Sequence, residues 1–290
     1  MIIGSVLEAF LYGISLGMLY VLVALGLTLI FGLMEVVNFA HGAFVTLGAY
    51  LGITVLGTVG NFWVALLAAG LLVGLGGVAL ERSLIKPLYG VNPVYQLLLT
   101  FGVALVIEGL IIIGYGEGNQ RIDTPGVFAG DAIPVGPAVI PQYRIFIIVF
   151  TGILIGIIWL TIQRTRLGLI IKAGIEDRER TELLGIRLGR VNMLIMGMGS
   201  ALAGIAGLLV GPIQGIDPHL GTGLLIISFV IIVIGGLGNI VGTIIAGLIV
   251  GVIYTFSLFF YPRVAEPVIF LAMIVVLLVR PHGLFGEAEV

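Results

Sequence analysis

Eight apolar segments set the architecture of this chain, because runs of this kind need lipid around them. A bilayer core is about 30 Å thick, and an α-helix rising about 1.5 Å per residue crosses it in about 20 residues. Backbone groups in lipid must be satisfied within the protein, and a helix satisfies them within one segment. The segments are residues 10–31, 39–56, 62–80, 95–115, 145–162, 193–210, 239–260 and 267–279.

Charge supports the same conclusion, since only 10% of the 290 residues are charged. A soluble domain is typically about 25% charged. The sequence therefore predicts an all-α polytopic membrane protein with about eight transmembrane helices. We expect residues 1–290 to form a single transmembrane domain.

A ninth apolar run, residues 224–236, is too short for an ordinary crossing. It leads into a glycine-rich stretch that no helix would keep, so we expect a short or broken helix. The sequence leaves open whether this piece crosses the membrane or re-enters it. The first ten residues hold no Lys, Arg or small-residue cleavage pattern, so we expect the first apolar segment to remain and insert.

Glycine is unusually frequent, at 45 of 290 residues, about twice its average share. Small residues let helix backbones approach closely in lipid, and glycines four apart are typical of such contacts. Together these spacings predict a compact bundle, although a chain this rich in glycine forms some by chance. They include Gly13/Gly17, Gly48/Gly52, Gly70/Gly74, Gly152/Gly156, Gly207/Gly211 and Gly247/Gly251.

Basic residues orient the bundle, because short loops rich in Lys and Arg stay in the cytoplasm. Residues 164–190 hold seven of the thirteen Lys and Arg residues, so we place this loop inside. Residues 116–144 hold only Arg121 and Arg144 together with four prolines, and we predict an ordered external loop. The same count places the N-terminus outside, provided that residues 32–38 form a turn between two spans.

Polar residues interrupt the apolar pattern after the first segment, at Glu35, Asn38, His41 and Gly42. The first three are three residues apart, so on a helix they form one gently drifting strip. Polar groups at membrane depth are costly unless they face a cavity or a partner. Two interpretations remain open: a strip that lines or gates a path, and a surface turn that caps two helices. One His and one Glu are not a metal-ligand set, so we predict no metal site.

A second interruption contains Gly235, Gly236 and Asn239 and precedes a long apolar helix. Paired breaks in opposite halves of a transporter are typical of internal structural repeats. The sequence match between the two breaks is slight, so an internal repeat is one interpretation among others.

Glu108 stands inside the fourth apolar segment without a partner nearby in sequence. A carboxylate in a membrane segment is a functional candidate, and a structural hydrogen bond between helices is the alternative. Asp217 and His219 follow Pro212, and we predict that they form an outward-facing turn with a structural role.

The charged loop contains a short stretch, residues 176–184, that we predict to form one short helix with signals at both ends. Acidic residues at its start suit the positive end of a helix dipole, and Gly185 supplies a stop. Leu183 and Leu184 give it an apolar end to bury against a partner or headgroups. A solvated loop that merely obeys the positive-inside rule is the alternative, and both remain open.

The chain has no nucleotide-binding motif of its own. A P-loop places lysine after glycine, whereas Lys86 and Lys172 each follow isoleucine. If transport is driven by ATP, another chain must bind the ATP.

Several short motifs are spread along nearly the whole chain. They are LGLTLIFGLM at 25–34, VNFAHG at 37–42, LGAY at 47–50, RTRLG at 164–168, ED at 176–177, LGI at 184–186, ALAGIAG at 201–207, GGLGN at 235–239 and RPHGLFG at 280–286. Together these motifs resemble branched-chain amino-acid ABC transporter permeases of the LivH type.

The resemblance implies a membrane subunit of an ATP-driven importer in a prokaryotic cytoplasmic membrane, translocating hydrophobic amino acids. It implies two ATPase subunits inside, a second homologous permease, an external binding protein and surrounding lipid, with no nucleic acid and no cofactor on this chain. The ATPase-coupling residues are then Glu176, Asp177, Arg178, Glu179, Glu182, Leu183, Leu184 and Gly185. The translocation path is expected to involve Glu35, Asn38, His41, Gly42, Gly235, Gly236 and Asn239.

Three positions depart from the family pattern. Glu35 stands where a Gly or another small residue is expected, Thr181 replaces an Ala, and Lys172 replaces an Arg. Glu35 leaves room for another substrate, since the family also includes permeases for urea, amides and other small solutes. A secondary transporter or channel is a further alternative, but Glu35, Glu108 and His41 make a thin ion relay. An intramembrane enzyme lacks a convincing catalytic set.

Overall fold

The computed structural model describes residues 2–286 and is almost entirely helical. Its helices are α1 (Ile2–Met34), α2 (Ala40–Val59), α3 (Phe62–Leu80), α4 (Pro93–Tyr115), α5 (Gln142–Arg164), α6 (Arg166–Glu176), α7 (Arg178–Leu183), α8 (Leu188–Gln214), α9 (Leu220–Gly235), α10 (Ile240–Phe260) and α11 (Ala265–Val279). A hairpin of two short antiparallel strands, β1 (Ile133–Val135) and β2 (Ala138–Ile140), interrupts the segment before α5.

Eight helical stretches within the described residues are long and apolar enough to cross a membrane. The last of them, Pro262–Val279, consists of α11 and the short 3-10 turn that leads into it. This confirms the all-α, polytopic fold class, and the chain is a multi-pass membrane protein. The ninth apolar helix, α9, has 16 residues. At about 1.5 Å per residue it is roughly 24 Å long, shorter than the hydrocarbon core.

The described residues fold into two compact units. Unit 1 comprises the chain up to Ala24, Asp123–Ile155 and the chain from Ile226 onward; unit 2 comprises Leu25–Ile122 and Gly156–Leu225. The single transmembrane domain and the internal repeat stay predictions.

Unit 2 is built around α8, which packs along α2 and α3. The contact relies on glycine, because a Cβ at Gly48 of α2 would overlap the backbone of Gly204 in α8. A Cβ at Gly207 would likewise overlap the carbonyl of Val45. Such close backbone approach gives helices in lipid their packing energy, as the four-residue spacings predicted.

Unit 1 uses glycine in the same way where α1 meets α10. A Cβ at Gly251 would overlap the backbone of Gly17, and one at Gly13 would lie 2.7 Å from the backbone of Val252. At the start of α1, the Glu8 carboxylate accepts a hydrogen bond from Val139 N in β2 at 3.1 Å. The N-terminal end of α1 therefore lies beside the hairpin of the 116–144 loop.

Candidate functional site

The connection between α1 and α2 begins with a left-handed residue. Glu35 has φ of 54°, and it is the only described residue other than glycine with positive φ. Its N–H bonds to Phe31 O at 2.9 Å, which closes the last turn of α1, and its side chain is exposed. Glycine adopts this conformation at no steric cost, which explains why a small residue was expected here.

Asn38 is fully buried and holds this connection in place. Its Oδ1 accepts a hydrogen bond from Ala40 N at 3.1 Å, and its Nδ2 lies 3.6 Å from the Met196 sulfur in α8. Next to it, Phe39 N donates to Thr100 Oγ1 of α4 at 3.2 Å. The first break is thus a capped turn whose polar groups are bonded to two further helices.

His41 and Gly42 continue from this turn into the first turn of α2, and both are buried. His41 lies against Gly26 of α1, where a Cβ would come within 2.8 Å of the imidazole Cε1. Gly42 faces the start of α9, where a Cβ would lie 2.5 Å from Gly221 O. The structure therefore brings Asn38, His41 and Gly42 together in the interior of unit 2 and leaves Glu35 at its surface.

A small cavity of about 20 Å³ lies beside Gly42, roughly the space of one water molecule. Its wall combines apolar groups with a few polar ones, including Phe39, Gly42, Thr46, Glu108, Thr222 and Leu225. The Glu108 carboxylate also pairs with Nδ1 of His219. The cavity is therefore bounded by the first break on one side and by Glu108, the partner of His219, on the other.

The pairing of Glu108 with His219 could not be read from the sequence. The two residues are 111 positions apart, on α4 and on the turn between α8 and α9. Each was singled out separately, Glu108 for its apolar surroundings and His219 for its place in a polar turn. In the structure the Glu108 carboxylate bonds to a side chain of another element, His219, which is the structural alternative for this residue.

The second break belongs to unit 1 and is a turn between α9 and α10. Asn239 accepts a hydrogen bond from Gly242 N at 2.8 Å and donates to Phe285 O at 2.9 Å. Gly236 has φ of 103°, a conformation that glycine tolerates. Because Gly235, Gly236 and Asn239 lie in a different unit from Asn38 and His41, their part in a common path stays a prediction.

The charged segment forms two short helices, α6 and α7, joined at Asp177. The predicted start of a helix at Glu176 is wrong, because Glu176 ends α6 and the extended Asp177 separates it from α7. Helix α6 buries Gly168, Ile171 and Gly174, which are three residues apart, and so packs one face against the rest of unit 2. Asp177 caps α7 by accepting a hydrogen bond from Arg180 N at 2.9 Å. Gly185 follows with φ of 82°, as the predicted stop requires.

The two sides of α7 differ sharply. Thr181 is buried, whereas Leu183 and Leu184 are 80% and 79% exposed at the far end. Glu179 is exposed as well. Glu182 Oε1 lies 3.8 Å from Arg178 Nε, one helical turn earlier. The predicted coupling residues, together with Glu176 at the end of α6, therefore form an exposed charged surface with an apolar tip.

A polar cluster that the sequence did not reveal connects α7 to the transmembrane helices. The Arg178 guanidinium lies over the Tyr89 ring, 5.4 Å from its centroid. The Tyr89 hydroxyl donates to Glu81 Oε1 at 3.0 Å and accepts from Asn192 Nδ2 of α8 at 3.1 Å. Glu81 is fully buried in a π-helical turn that extends α3. The only sequence signal was an acid beside Arg82 at the end of an apolar segment.

Burial and the neighbouring Glu81 carboxylate raise the pKa of the Tyr89 hydroxyl. The hydroxyl therefore keeps its proton at physiological pH and remains the donor to Glu81. This cluster, which we call the Tyr89 cluster, consists of Glu81, Tyr89, Arg178 and Asn192.

Comparison with known proteins decides the family. The family described as the permease component of the branched-chain amino acid transport system matches residues 9–278. This chain belongs to that family of permeases. It is a transport component, in line with the predicted resemblance, and the family match spans the first break, the cavity, the Tyr89 cluster and α7.

Individual members of the permease family align over almost the whole chain. The high-affinity branched-chain amino acid permease BraD of Pseudomonas aeruginosa is 33% identical, covering 98% of this chain and 97% of its own. LivH of Salmonella typhimurium is 31% identical over 98% of both chains. A probable LivH of Methanocaldococcus jannaschii is 29% identical over 92% of this chain and 89% of its own. No solved structure matches the chain.

Proposed function

We propose that this permease is one membrane-spanning subunit of an ATP-driven importer that translocates branched-chain amino acids. The observation that carries the proposal is α7, a charged helix with two exposed leucines at its tip and a buried side on unit 2. Leucines exposed this far in water are typical of a surface that a partner covers. The substrate class is taken from the names of the relatives.

Contacts at the two ends of unit 2 support the sidedness of this proposal. At one end, Gln120 and Ile216 form a short antiparallel backbone pair after α4 and α8. At the other end, Tyr89 contacts both Arg178 and Asn192. The basic segment 164–190 thus lies at the end of unit 2 opposite the 116–122 stretch. The positive-inside rule assigns the end with the basic segment to the cytoplasm.

Coupling then follows from the contacts of α7. An ATPase subunit docks on Glu179, Glu182 and the leucine tip, and closure of the ATPase pair shifts α7. The shift passes from Arg178 to the Tyr89 ring, and from its hydroxyl to Glu81 on the α3 extension and Asn192 on α8. Two helices that pack along α2 are displaced together, which changes access to the interior of unit 2.

The path for the solute runs through the interior of unit 2 in this proposal. Asn38, His41 and Gly42 supply polar side chains and a close backbone approach beside the small cavity. Buried polar groups inside a membrane protein are costly and mark solute pathways. Gly235, Gly236 and Asn239 contribute in the same proposal through the second break.

The partners follow from the same argument. A second homologous permease completes the membrane part, two ATPases bind inside, and an external binding protein delivers the amino acid. The complex resides in the cytoplasmic membrane of a prokaryote, with lipid against the exposed apolar faces of α4 and α11.

Reconstitution tests the function. We expect proteoliposomes with the complete importer and its loaded binding protein to accumulate radiolabelled leucine when ATP is supplied on the side that holds the ATPases. Vesicles holding this permease without ATPase subunits should accumulate none above the protein-free background. Transport by the chain alone would contradict the proposal and point to a secondary transporter or channel.

Tyr89→Phe tests the route of coupling. The variant keeps the ring under Arg178 but removes both hydrogen bonds, leaving the buried Glu81 without its donor. Loss of a bond to a buried charged group costs about 1.5–3 kcal/mol, so we expect several-fold slower ATP-driven leucine uptake and a lower unfolding temperature. Uptake per ATP hydrolysed in proteoliposomes measures the coupling.

Tyr95→Phe is the matched control, because Tyr95 on α4 is 58% exposed. It should leave uptake and stability unchanged. Tyr89→Phe with a normal ratio of uptake to ATP hydrolysis would show that the Tyr89 cluster only stabilises the fold.

A further inference from the structure

Glu108 lies within the membrane helix α4, and its carboxylate lines the small cavity beside Gly42. It lies seven residues before the end of α4 at Tyr115, roughly 10 Å along the helix axis. Its side chain is 20% exposed and contacts His219. An anion at this depth needs a cationic or N–H donor partner, because it is otherwise left poorly solvated.

The partner it has in this structure is easy to displace. The His219 side chain is 68% exposed and lies on the turn that leads into α9. Its backbone N–H donates a hydrogen bond to Asp217 Oδ1 at 2.9 Å. This bond fixes the backbone of the turn and does not involve the imidazole. Pairs with one exposed member contribute little to stability, so little opposes the exchange of one partner for another.

The rest of the cavity suits a branched aliphatic group. Apolar side chains from three elements, Phe39, Ile107 and Leu225, line it together with the hydroxyls of Thr46 and Thr222. At about 20 Å³ the cavity holds about one water molecule, so it must widen before it can take an amino acid.

We propose that Glu108 binds the ammonium group of the entering amino acid, and that His219 occupies this carboxylate until the substrate replaces it. The inference rests on the proposed function and adds the recognition site within it. A charge-assisted bond forms between ammonium and carboxylate, while Phe39, Ile107 and Leu225 contact the side chain. The exchange conserves the pairing of Glu108 throughout, so the carboxylate is never left alone in the membrane.

Equilibrium binding separates this site from delivery by the external protein. Radiolabelled leucine is titrated against the membrane complex with its ATPases in nanodiscs, without the binding protein. For Glu108→Gln we expect the Kd for leucine to rise about 10- to 100-fold, because a hydrogen bond to a charged group is lost. For His219→Gln we expect the Kd to fall up to about fivefold, because leucine no longer competes with the imidazole.

The competitor 4-methylpentanoate, which is leucine without its amino group, gives a second readout. It should displace leucine poorly from the wild-type complex and about as well as leucine itself from Glu108→Gln. Glu117→Gln is the control, since Glu117 is an exposed carboxylate just beyond the same helix, and it should bind like the wild type. Equal co-purification of the ATPase subunits with all four proteins reports intact assembly.

The outcomes are distinguishable. Wild-type affinity in Glu108→Gln, or no leucine binding by a wild-type complex that imports leucine, overturns the site and leaves the importer intact. A higher Kd for leucine in His219→Gln would show that His219 stabilises the binding site, and this too overturns the exchange. A complete importer that moves no amino acid at all refutes the proposed function, and this inference falls with it.

Discussion

Reversing the charges of α7, with Glu179→Lys and Glu182→Lys together, is expected to reduce ATP-driven leucine uptake at least about tenfold. Both side chains are exposed, so the protein should fold and insert normally, as surface substitutions usually change stability by less than about 0.5 kcal/mol. Like charges placed against a complementary partner surface cost several kcal/mol, which is enough to lose docking. Co-purification of the ATPases and the ratio of uptake to ATP hydrolysis measure the effect.

Neutral substitutions separate charge from shape at this surface. Glu179→Gln with Glu182→Gln should give an intermediate loss, since attraction is removed without adding repulsion. Glu117→Lys, at the opposite end of unit 2, should leave ATPase co-purification unchanged. Normal coupling in the doubly reversed protein would remove α7 as the docking element and return the segment to a solvated loop.

The glycine contact between α2 and α8 should be the most sensitive point of the fold. Gly48→Leu places a branched side chain where a single Cβ already overlaps the Gly204 backbone, and no flexible group can move aside. Overpacking typically costs about 1–3 kcal/mol, and we expect the upper part of that range or more here. The expected result is a fall of roughly 10 °C in unfolding temperature and little assembled protein.

Gly57→Leu is the matched control on the same helix. Gly57 has open space around the position of a Cβ, so the variant should insert and unfold like the wild type. Thermal unfolding in detergent, followed by size-exclusion chromatography, compares the two. Equal stability of both variants would contradict the close approach of α2 and α8.

The extents of the membrane helices could be predicted because hydrophobicity is a local property of the chain. The eight predicted segments correspond to eight long helices, and the short run near residue 230 is the 16-residue α9. Some ends differ because a helix takes in polar residues beyond the apolar run, as α8 does by running from Leu188 to Gln214. Helix α1 starts at Ile2 rather than near residue 10, and it ends at Met34, just before the left-handed Glu35.

At the first break, residues 35–42, the sequence did not decide between two structures. Its polar residues were open to two interpretations, a lined path and a capped turn. The structure contains the cap, since Asn38 bonds to Ala40 N, and it buries Asn38 and His41 completely. Lining of a path remains a proposal, because burial by itself does not move a solute.

From the sequence alone came the membrane class, the eight long apolar segments, the basic segment that orients the bundle and the resemblance to a permease family. These depend on composition, on the length of apolar runs, on the count of basic residues and on short motifs, all of which are properties of neighbouring residues. Only the folded chain decided that Glu108 meets His219, that Tyr89 joins Glu81 to Asn192, and that Gly48 meets Gly204. The members of each pair lie far apart in the sequence, and the packing of the helices decides which of them meet.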